Sequence, residues 1–335
     1  QMSVEKPPQL AKKPAKPPVA RRQLIIAGAL LGMIYGLVAR FAFGYFHHIG
    51  AKFEVMSQAF ILGVPLALGF ISALVSHKSP YQSVWNWLTG LVFVPFLSSI
   101  ALLTLALLLA WEGAICVILW LPVVLPLSSI GAFLGIICLK IVKSKRHRSY
   151  CIAVAALFPF LISPIEQLKT PYSEIRAVPT QIKIHASAQT VWNQIKSVPL
   201  ISEKEQSFSF SHLIGFPRPL EAKLVGNGVG AVRYATFEKG VLFVETINEW
   251  DEPHRLAFSI RADTKNIPPK TFDEHVVIGG RYFDVLNGIY WIEDMGNGDV
   301  ILHLSSEQRL STRFNFYSHY WTEYLMADLQ NYILG

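Results

Sequence analysis

Three side chains with useful chemistry lie in stretches of sequence that alternate like β-strands: Arg233, Glu245 and His303. A guanidinium, a carboxylate and an imidazole can each orient a ligand by hydrogen bonds, and the last two can also act as general acid or base. Each is predicted to line a ligand pocket if it points to the inner face of a sheet. A solvated position on the outer face is the alternative.

Motifs for other chemistry do not occur in the sequence. The run Gly226-Asn-Gly-Val-Gly lacks the Lys-Ser/Thr of a phosphate loop and leads into a strand, which indicates a structural turn. There is no G-x-S-x-G, H-E-x-x-H or C-x-x-C. His275, His303 and His319 lack metal-ligand spacing, so neither a metal site nor a cofactor is expected.

Aromatic residues are abundant in the same half of the chain. Many belong to an ordinary core, but inward residues that do not meet a covering helix would line an apolar cavity. The residues predicted to bind a ligand are Arg233, Glu245, Trp250, Tyr290, Trp291, His303, Tyr317 and Trp321.

The elements that position these residues follow from periodicity. A strand and a short helix capped by Ser187 come first, a less regular helix is expected over Glu203–Leu213, and an amphipathic helix over Asn315–Ile333 closes the chain. This order predicts an α+β domain. The predicted strands are Thr180–Ala186, Ala231–Lys239, Val241–Trp250, Arg255–Ala262, His275–Asp284, Gly288–Glu293 and Asp299–Arg309.

Residues 178–335 resemble the START/SRPBCC superfamily, which includes polyketide cyclase-like proteins. The resemblance lies in I-K-I-H-A-S-A-Q-T-V-W-N-Q-I, in G-N-G-V-G-A-V-R, in I-N-E-W-D-E-P-H-R-L-A-F and in the closing helix. It implies a helix-grip fold, in which an antiparallel sheet wraps round the long C-terminal helix and encloses an apolar cavity. Members bind lipids, sterols or polyketides, and some catalyse cyclisation or hydrolysis.

Residues 24–166 predict a membrane anchor of about five helices. The first apolar stretch, Leu24–Phe46, is long enough to cross the roughly 30 Å hydrocarbon core. Residues 1–23 are basic, proline-rich and expected to be disordered, and 167–177 are expected to be a linker. The other spans are Ala59–Ser76, Leu88–Trp111, Ala114–Val142 (one kinked span, or a half-helix plus a span) and Tyr150–Pro164.

The charge distribution predicts the orientation. Residues 1–170 carry 15 Lys/Arg and 4 Asp/Glu, whereas 171–335 carry 15 and 19, so the acidic second half argues against nucleic acid as a partner. The basic tail and the Lys143–Arg148 loop are expected on the cytoplasmic side of a bacterial inner membrane. Five crossings then place the C-terminal domain in the periplasm. If Tyr150–Pro164 only lies on the surface, the domain is cytoplasmic instead.

Gly28, Gly32, Gly36 and Arg40 recur every four residues in the first span. Such a row lets another helix approach closely, either within the chain or in a homodimer. Arg40 is expected to pair with Glu112, with Glu54 as the alternative partner and a snorkelled position as the third possibility.

Three functions remain open at this level. The leading hypothesis is a non-enzymatic module that binds or transfers a membrane lipid, isoprenoid or other apolar small molecule. A cyclase- or hydrolase-like enzyme using Glu245 and His303 is the second. An accessory subunit that contacts other membrane proteins through its helices is the third. A cavity would favour the first two, and a solid core the third.

Overall fold

A computed structural model of the chain describes residues 21–48, 53–76, 87–202, 207–263 and 277–335. Most of the tail predicted to be disordered, the first residues of the predicted Glu203–Leu213 helix and the first two of the His275–Asp284 strand lie outside these ranges. The described residues form two units. Residues 21–166 make a helical unit, and residues 174–335 make a sheet unit.

Five helices of the helical unit are long and apolar enough to cross a membrane by length and composition. The segment over 114–142, left open by the sequence, is one helix that continues through Pro122 and Pro126. The helices are α1 (Arg21–His48), α2 (Val64–Ser76, after a π-helical turn Ala59–Gly63), α3 (Val94–Leu108, after a π-helical turn Thr89–Phe93), α4 (Ala114–Ile141) and α5 (Lys145–Glu166).

The glycine row of α1 packs against its own chain. A Cβ on Gly28 would lie 2.6 Å from the backbone oxygen of Ser72 in α2, and a Cβ on Gly32 would lie 2.8 Å from Ser98 Oγ in α3. A Cβ on Gly36 would meet Leu102 of α3 at 2.5 Å. The row therefore serves packing within the chain, the first of the two alternatives.

Arg40 extends this row and is the one Lys, Arg, Asp or Glu between Leu24 and Phe46. Its Nε contacts the carboxylate of Glu112, and its Nη2 donates to the backbone oxygen of Trp111 at 2.7 Å. The predicted pair is therefore present, and Glu54 makes its contacts elsewhere. Pairing offsets the cost of placing a charge in an apolar helix.

The sheet unit contains a seven-stranded antiparallel sheet with the order β1-β7-β6-β5-β4-β3-β2. Helix α6 (Ala188–Lys196) begins at Ser187, whose side chain accepts from Thr190 N as predicted for a cap. The other elements are β1 (Glu174–Ile184), α7 (Phe210–Leu213), β2 (Pro219–Val225), β3 (Val232–Phe237), β4 (Leu242–Asp251), β5 (Arg255–Asp263), β6 (Phe283–Asp294), β7 (Val300–Leu310) and α8 (Asn315–Leu334).

The predicted strands differ from this sheet in four places. Strand β1 begins at Glu174, inside the predicted linker, and β2 was not predicted. Strand β6 begins only at Phe283 and joins the end of the predicted His275–Asp284 strand to the predicted Gly288–Glu293 strand, because a bulge between Val285 and Asn287 breaks the alternation without ending the strand. Residues 277–282 precede β6 as a turn in which Gly279 has φ +77°. Of the predicted Glu203–Leu213 helix, the described part is helical only from Phe210.

The inner face of the sheet is covered in two parts. Trp192 of α6 is fully buried in the main core, together with Ile247, Leu256 and Leu302 of the sheet. Helix α8 packs across β1 and β7 at the other edge. Since α6 and α8 cover different parts of the face, a space remains between α8 and the central strands.

The helical unit closes this space from below. Three residues of the helical unit form hydrogen bonds with the sheet unit. Gln58 lies just before the π-helical turn that precedes α2, Leu119 lies near the start of α4, and Glu166 lies at the end of α5. All three belong to one end of the helical unit, opposite Arg21 and Lys145. The sheet unit therefore sits on that end, with α8 directly above α4.

Candidate functional site

A cavity of about 590 Å³ lies between the central strands, α8, the π-helical turn before α2 and the outer turns of α4. Its wall is mainly apolar, as in sites that hold small organic ligands. The sheet contributes, among others, Ala222, Arg233, Ala235, Glu245, Phe258, Gly288 and Tyr290; α8 contributes Tyr317, Trp321, Leu325 and Gln330; and the helical unit contributes Met56, Phe60, Glu112, Cys116 and Trp120.

An ion pair between Arg233 and Glu245 is the polar centre of this wall. The two residues face each other across the β3–β4 hairpin, so their side chains point to the same face. Arg233 Nε contacts Glu245 Oε2, and Arg233 Nη1 donates to the backbone oxygen of Ile195 at the end of α6 at 2.5 Å. Both side chains are about 95% buried, at 6% and 5% exposure.

Aromatic rings enclose the guanidinium. Its carbon lies 4.7 Å from the ring centroid of Phe258 and 5.7 Å from that of Tyr290. Such cation–π contacts are stronger away from water. The pair is thus held in an apolar, partly aromatic environment.

The protonation of the pair follows from this burial. Burial raises the pKa of the Glu245 carboxyl, and the adjacent Arg233 guanidinium opposes that rise. Burial also works against the charge of Arg233, but Glu245 and Tyr290 outweigh it, so the pKa of Arg233 lies above its ordinary value. Because arginine keeps its proton in proteins, Glu245 is the group that compensates this buried charge, and the pair is ionic at neutral pH.

A second polar connection ties α8 to the helical unit. Trp321 Nε1 donates to the Tyr317 hydroxyl at 2.7 Å, and that hydroxyl donates to the backbone oxygen of Leu119 in α4 at 2.5 Å. Burial raises the pKa of Tyr317, so its proton stays on the oxygen. The two aromatic side chains thus have their polar atoms satisfied while their rings line the cavity.

Five of the eight predicted ligand-binding residues line the cavity: Arg233, Glu245, Tyr290, Tyr317 and Trp321. The sequence placed Arg233 and Glu245 in strands but did not pair them. Counting residues across a hairpin turn at Glu238–Gly240 would have shown them opposite each other. Phe258 of β5, which was not among the predicted ligand-binding residues, also lines the cavity.

Trp250, Trp291 and His303 do not line the cavity. Trp291 and His303 alternate with the inward residues Tyr290 and Leu304, so they face the other side of the sheet, where their rings stack at 4.4 Å. Trp250 follows a bulge between Ile247 and Glu249 and packs edge-on against Trp192 at 5.2 Å. The prediction that these three contact a ligand in this cavity is therefore wrong.

The same geometry separates the predicted acid–base residues. Glu245 faces the cavity and contacts Arg233, whereas His303 on the opposite face lies 3.3 Å from the Glu293 carboxylate. They cannot act together on one substrate. Within the described ranges, no three His, Cys, Asp or Glu residues are grouped as a metal site.

Comparison with known proteins yields only weak structural similarities. No protein-family model and no curated protein matches the chain. Norcoclaurine synthase from Thalictrum flavum, in complex with a transition-state analogue, shares 16% identity over 48% of this chain and 93% of its own, with a TM-score of 0.29. Major latex-like protein 151 from Panax ginseng shares 10% identity over 48% of this chain and 95% of its own, also at 0.29. Similarities of this size establish no shared ligand or activity.

We expect Arg233→Met to destabilise the protein by about 3–5 kcal/mol, because it leaves the Glu245 carboxylate buried without its partner. The matched control is Arg255→Met, whose pair with Glu249 is nearly half exposed and should be worth no more than about 1 kcal/mol. Thermal unfolding of both full-length variants in the same detergent measures the difference. Equal losses of stability in the two variants would show that the buried pair contributes no more to stability than the exposed pair does.

Proposed function

We propose that the protein binds or transfers a hydrophobic ligand in a membrane-tethered helix-grip domain of the START/SRPBCC type. The observation that carries this proposal is the 590 Å³ cavity, whose wall combines the sheet, α8 and the helical unit. Its size falls within the range of about 300–1,000 Å³ that ligand pockets occupy.

The composition of the wall supports an apolar ligand. Rings and aliphatic side chains from all three parts surround the space, and the buried polar side chains of the sheet that line it are those of Arg233, Glu245, Tyr290 and Ser306. A few polar groups in an apolar wall fix the orientation of a ligand without making the site hydrophilic. Lipids and isoprenoids have the matching chemistry.

The share of the helical unit in the wall supports uptake from the membrane. Phe60, Cys116 and Trp120 belong to helices long and apolar enough to cross a bilayer. A ligand dissolved in the bilayer would reach the cavity beside these helices without crossing water. Tethering also keeps the cavity at the place where such a ligand is most concentrated.

Exposed aromatic residues on α8 are consistent with a location of the cavity at the membrane surface. Phe316, Tyr320 and Tyr324 are more than half exposed and recur every four residues along one side of the helix. Tyr317, next to them, bonds to α4 near the start of that span. Aromatic side chains are enriched where a membrane protein meets the headgroups, and we place this side of α8 there.

The proposed orientation puts the sheet unit in the periplasm of a bacterial cell. The basic loop Lys143–Arg148 and Arg21–Arg22 lie at the end of the helical unit away from the sheet unit. Basic residues favour the cytoplasmic side, so the sheet unit would face outward.

Protease added to intact spheroplasts is expected to degrade the sheet unit and to spare the α4–α5 loop. A tag on each side of the chain, read by immunoblotting, distinguishes the two fragments. Cleavage of the sheet unit only after lysis would contradict the proposed orientation and leave ligand binding untouched.

Ligand binding is tested with the neutral apolar fluorophore N-phenyl-1-naphthylamine and the full chain in nanodiscs. Wild type is expected to show saturable fluorescence enhancement above empty nanodiscs. Ala235→Phe places a ring into the cavity and is expected to lower the affinity at least tenfold.

The matched control is Ala257→Phe, on β5 but outside the cavity wall, which is expected to bind as wild type does. Absence of saturable binding to wild type, or equal binding by both variants, would contradict the proposed function.

A further inference from the structure

The charged groups of the cavity wall are paired. Among the described residues that line the cavity, the carboxylates are Glu112, Glu221 and Glu245, and Arg233 is the one Lys or Arg. Glu245 contacts Arg233, Glu112 contacts Arg40 outside the wall, and Glu221 lies 2.9 Å from Lys223 Nζ.

This pairing sets what the cavity offers to a ligand. The Glu245 carboxylate contacts Arg233 directly, so it would repel an anionic headgroup placed next to Arg233. In the same way, the Arg233 guanidinium would repel a cationic headgroup placed next to Glu245. Neither sign of charge finds an uncompensated partner among these groups, while entering the cavity removes the ligand charge from water.

The hydrogen bonds that Arg233 already forms also disfavour a charged ligand. Arg233 directs Nε to Glu245 and Nη1 to the backbone oxygen of Ile195, and Phe258 covers a face of the guanidinium. This leaves little of Arg233 for the two parallel hydrogen bonds that arginine forms with a carboxylate or phosphate. The Glu245 carboxylate and Tyr290 hydroxyl, on the wall itself, suit a ligand hydroxyl or amide.

We infer that the cavity selects amphiphiles whose polar end is uncharged, such as a long-chain alcohol or amide, and discriminates against both anionic and cationic amphiphiles. This inference rests on the proposed function, because it requires that an apolar ligand occupies the cavity. It narrows the ligand class from lipids in general to neutral lipids.

The test uses three probes that share a sixteen-carbon chain: palmitamide, palmitate and hexadecylamine. Each competes with N-phenyl-1-naphthylamine for the full chain in zwitterionic nanodiscs at pH 9, where palmitate is ionised and most of the amine is protonated. Probe concentrations are corrected for uptake by empty nanodiscs. Palmitamide is expected to displace the fluorophore at a concentration at least tenfold lower than either charged probe.

The variant Glu245→Gln tests whether the buried carboxylate is what excludes anionic ligands. It leaves the charge of Arg233 uncompensated in the wall, so palmitate is expected to gain at least tenfold relative to palmitamide while the amine gains nothing. Glu249→Gln is the matched control, because Glu249 lies on the same strand but outside the cavity wall, in a half-exposed pair with Arg255, and it is expected to keep the wild-type preference.

If Glu245→Gln does not fold, the double variant Arg233→Gln with Glu245→Gln removes both charges, and both charged probes should then approach palmitamide. Saturable fluorophore binding with equal competition by all three probes would overturn the inference alone, as would a preference unchanged in the Glu245 variants or shifted by Glu249→Gln. Absence of fluorophore binding by wild type would overturn the proposed function and the inference with it.

Discussion

The buried carboxylate of Glu54 holds the two units together, and the cavity depends on it. Glu54 is 3% exposed, accepts from the Tyr282 hydroxyl and lies 2.8 Å from Arg281 Nη1. Arg313, whose side chain is 8% exposed, donates to the backbone oxygens of Glu166 and Lys169 at 2.8 and 2.7 Å. A carboxylate buried with several donors is costly to separate from them, so this network fixes the sheet unit on the helical unit.

The same network orders the top of the helical unit. The Glu166 carboxylate accepts from the backbone nitrogens of Gln58 and Ala59 at 2.8 and 2.9 Å, at the start of the π-helical turn before α2. A negative charge there satisfies free N–H groups and complements the helix dipole. Phe60, in the same turn, lines the cavity. The floor of the cavity is therefore positioned by the contacts that join the units, and this links the proposed membrane tether to ligand binding.

Much of this architecture is predictable because it is encoded locally. Long apolar stretches fixed the five helices, Ser187 fixed the start of α6, and the four-residue row through Gly28 and Arg40 indicated close packing and the pair with Glu112. Inward and outward positions were less predictable. Bulges at Val285–Asn287 and Ile247–Glu249 shift which residues of β6 and β4 face the cavity. Because successive strand residues point to opposite faces, Tyr290 faces inward and its neighbour Trp291 faces outward. The part of the cavity wall formed by the helical unit was not predicted. In the sequence, Phe60 and Trp120 are ordinary apolar residues of membrane spans, and only the contact between the two units brings them next to the sheet.

The shared cavity is proposed to hold an apolar ligand drawn from the membrane. Native mass spectrometry of the full chain, released gently from its own membranes, would detect such a ligand as bound mass. Wild type is expected to carry an uncharged adduct on the order of several hundred daltons, the size that a pocket of this volume accepts. The adduct should be lost in Ala235→Phe and kept in Ala257→Phe. A bare wild-type mass, or an adduct that survives equally in both variants, would show that no such ligand is held in this cavity.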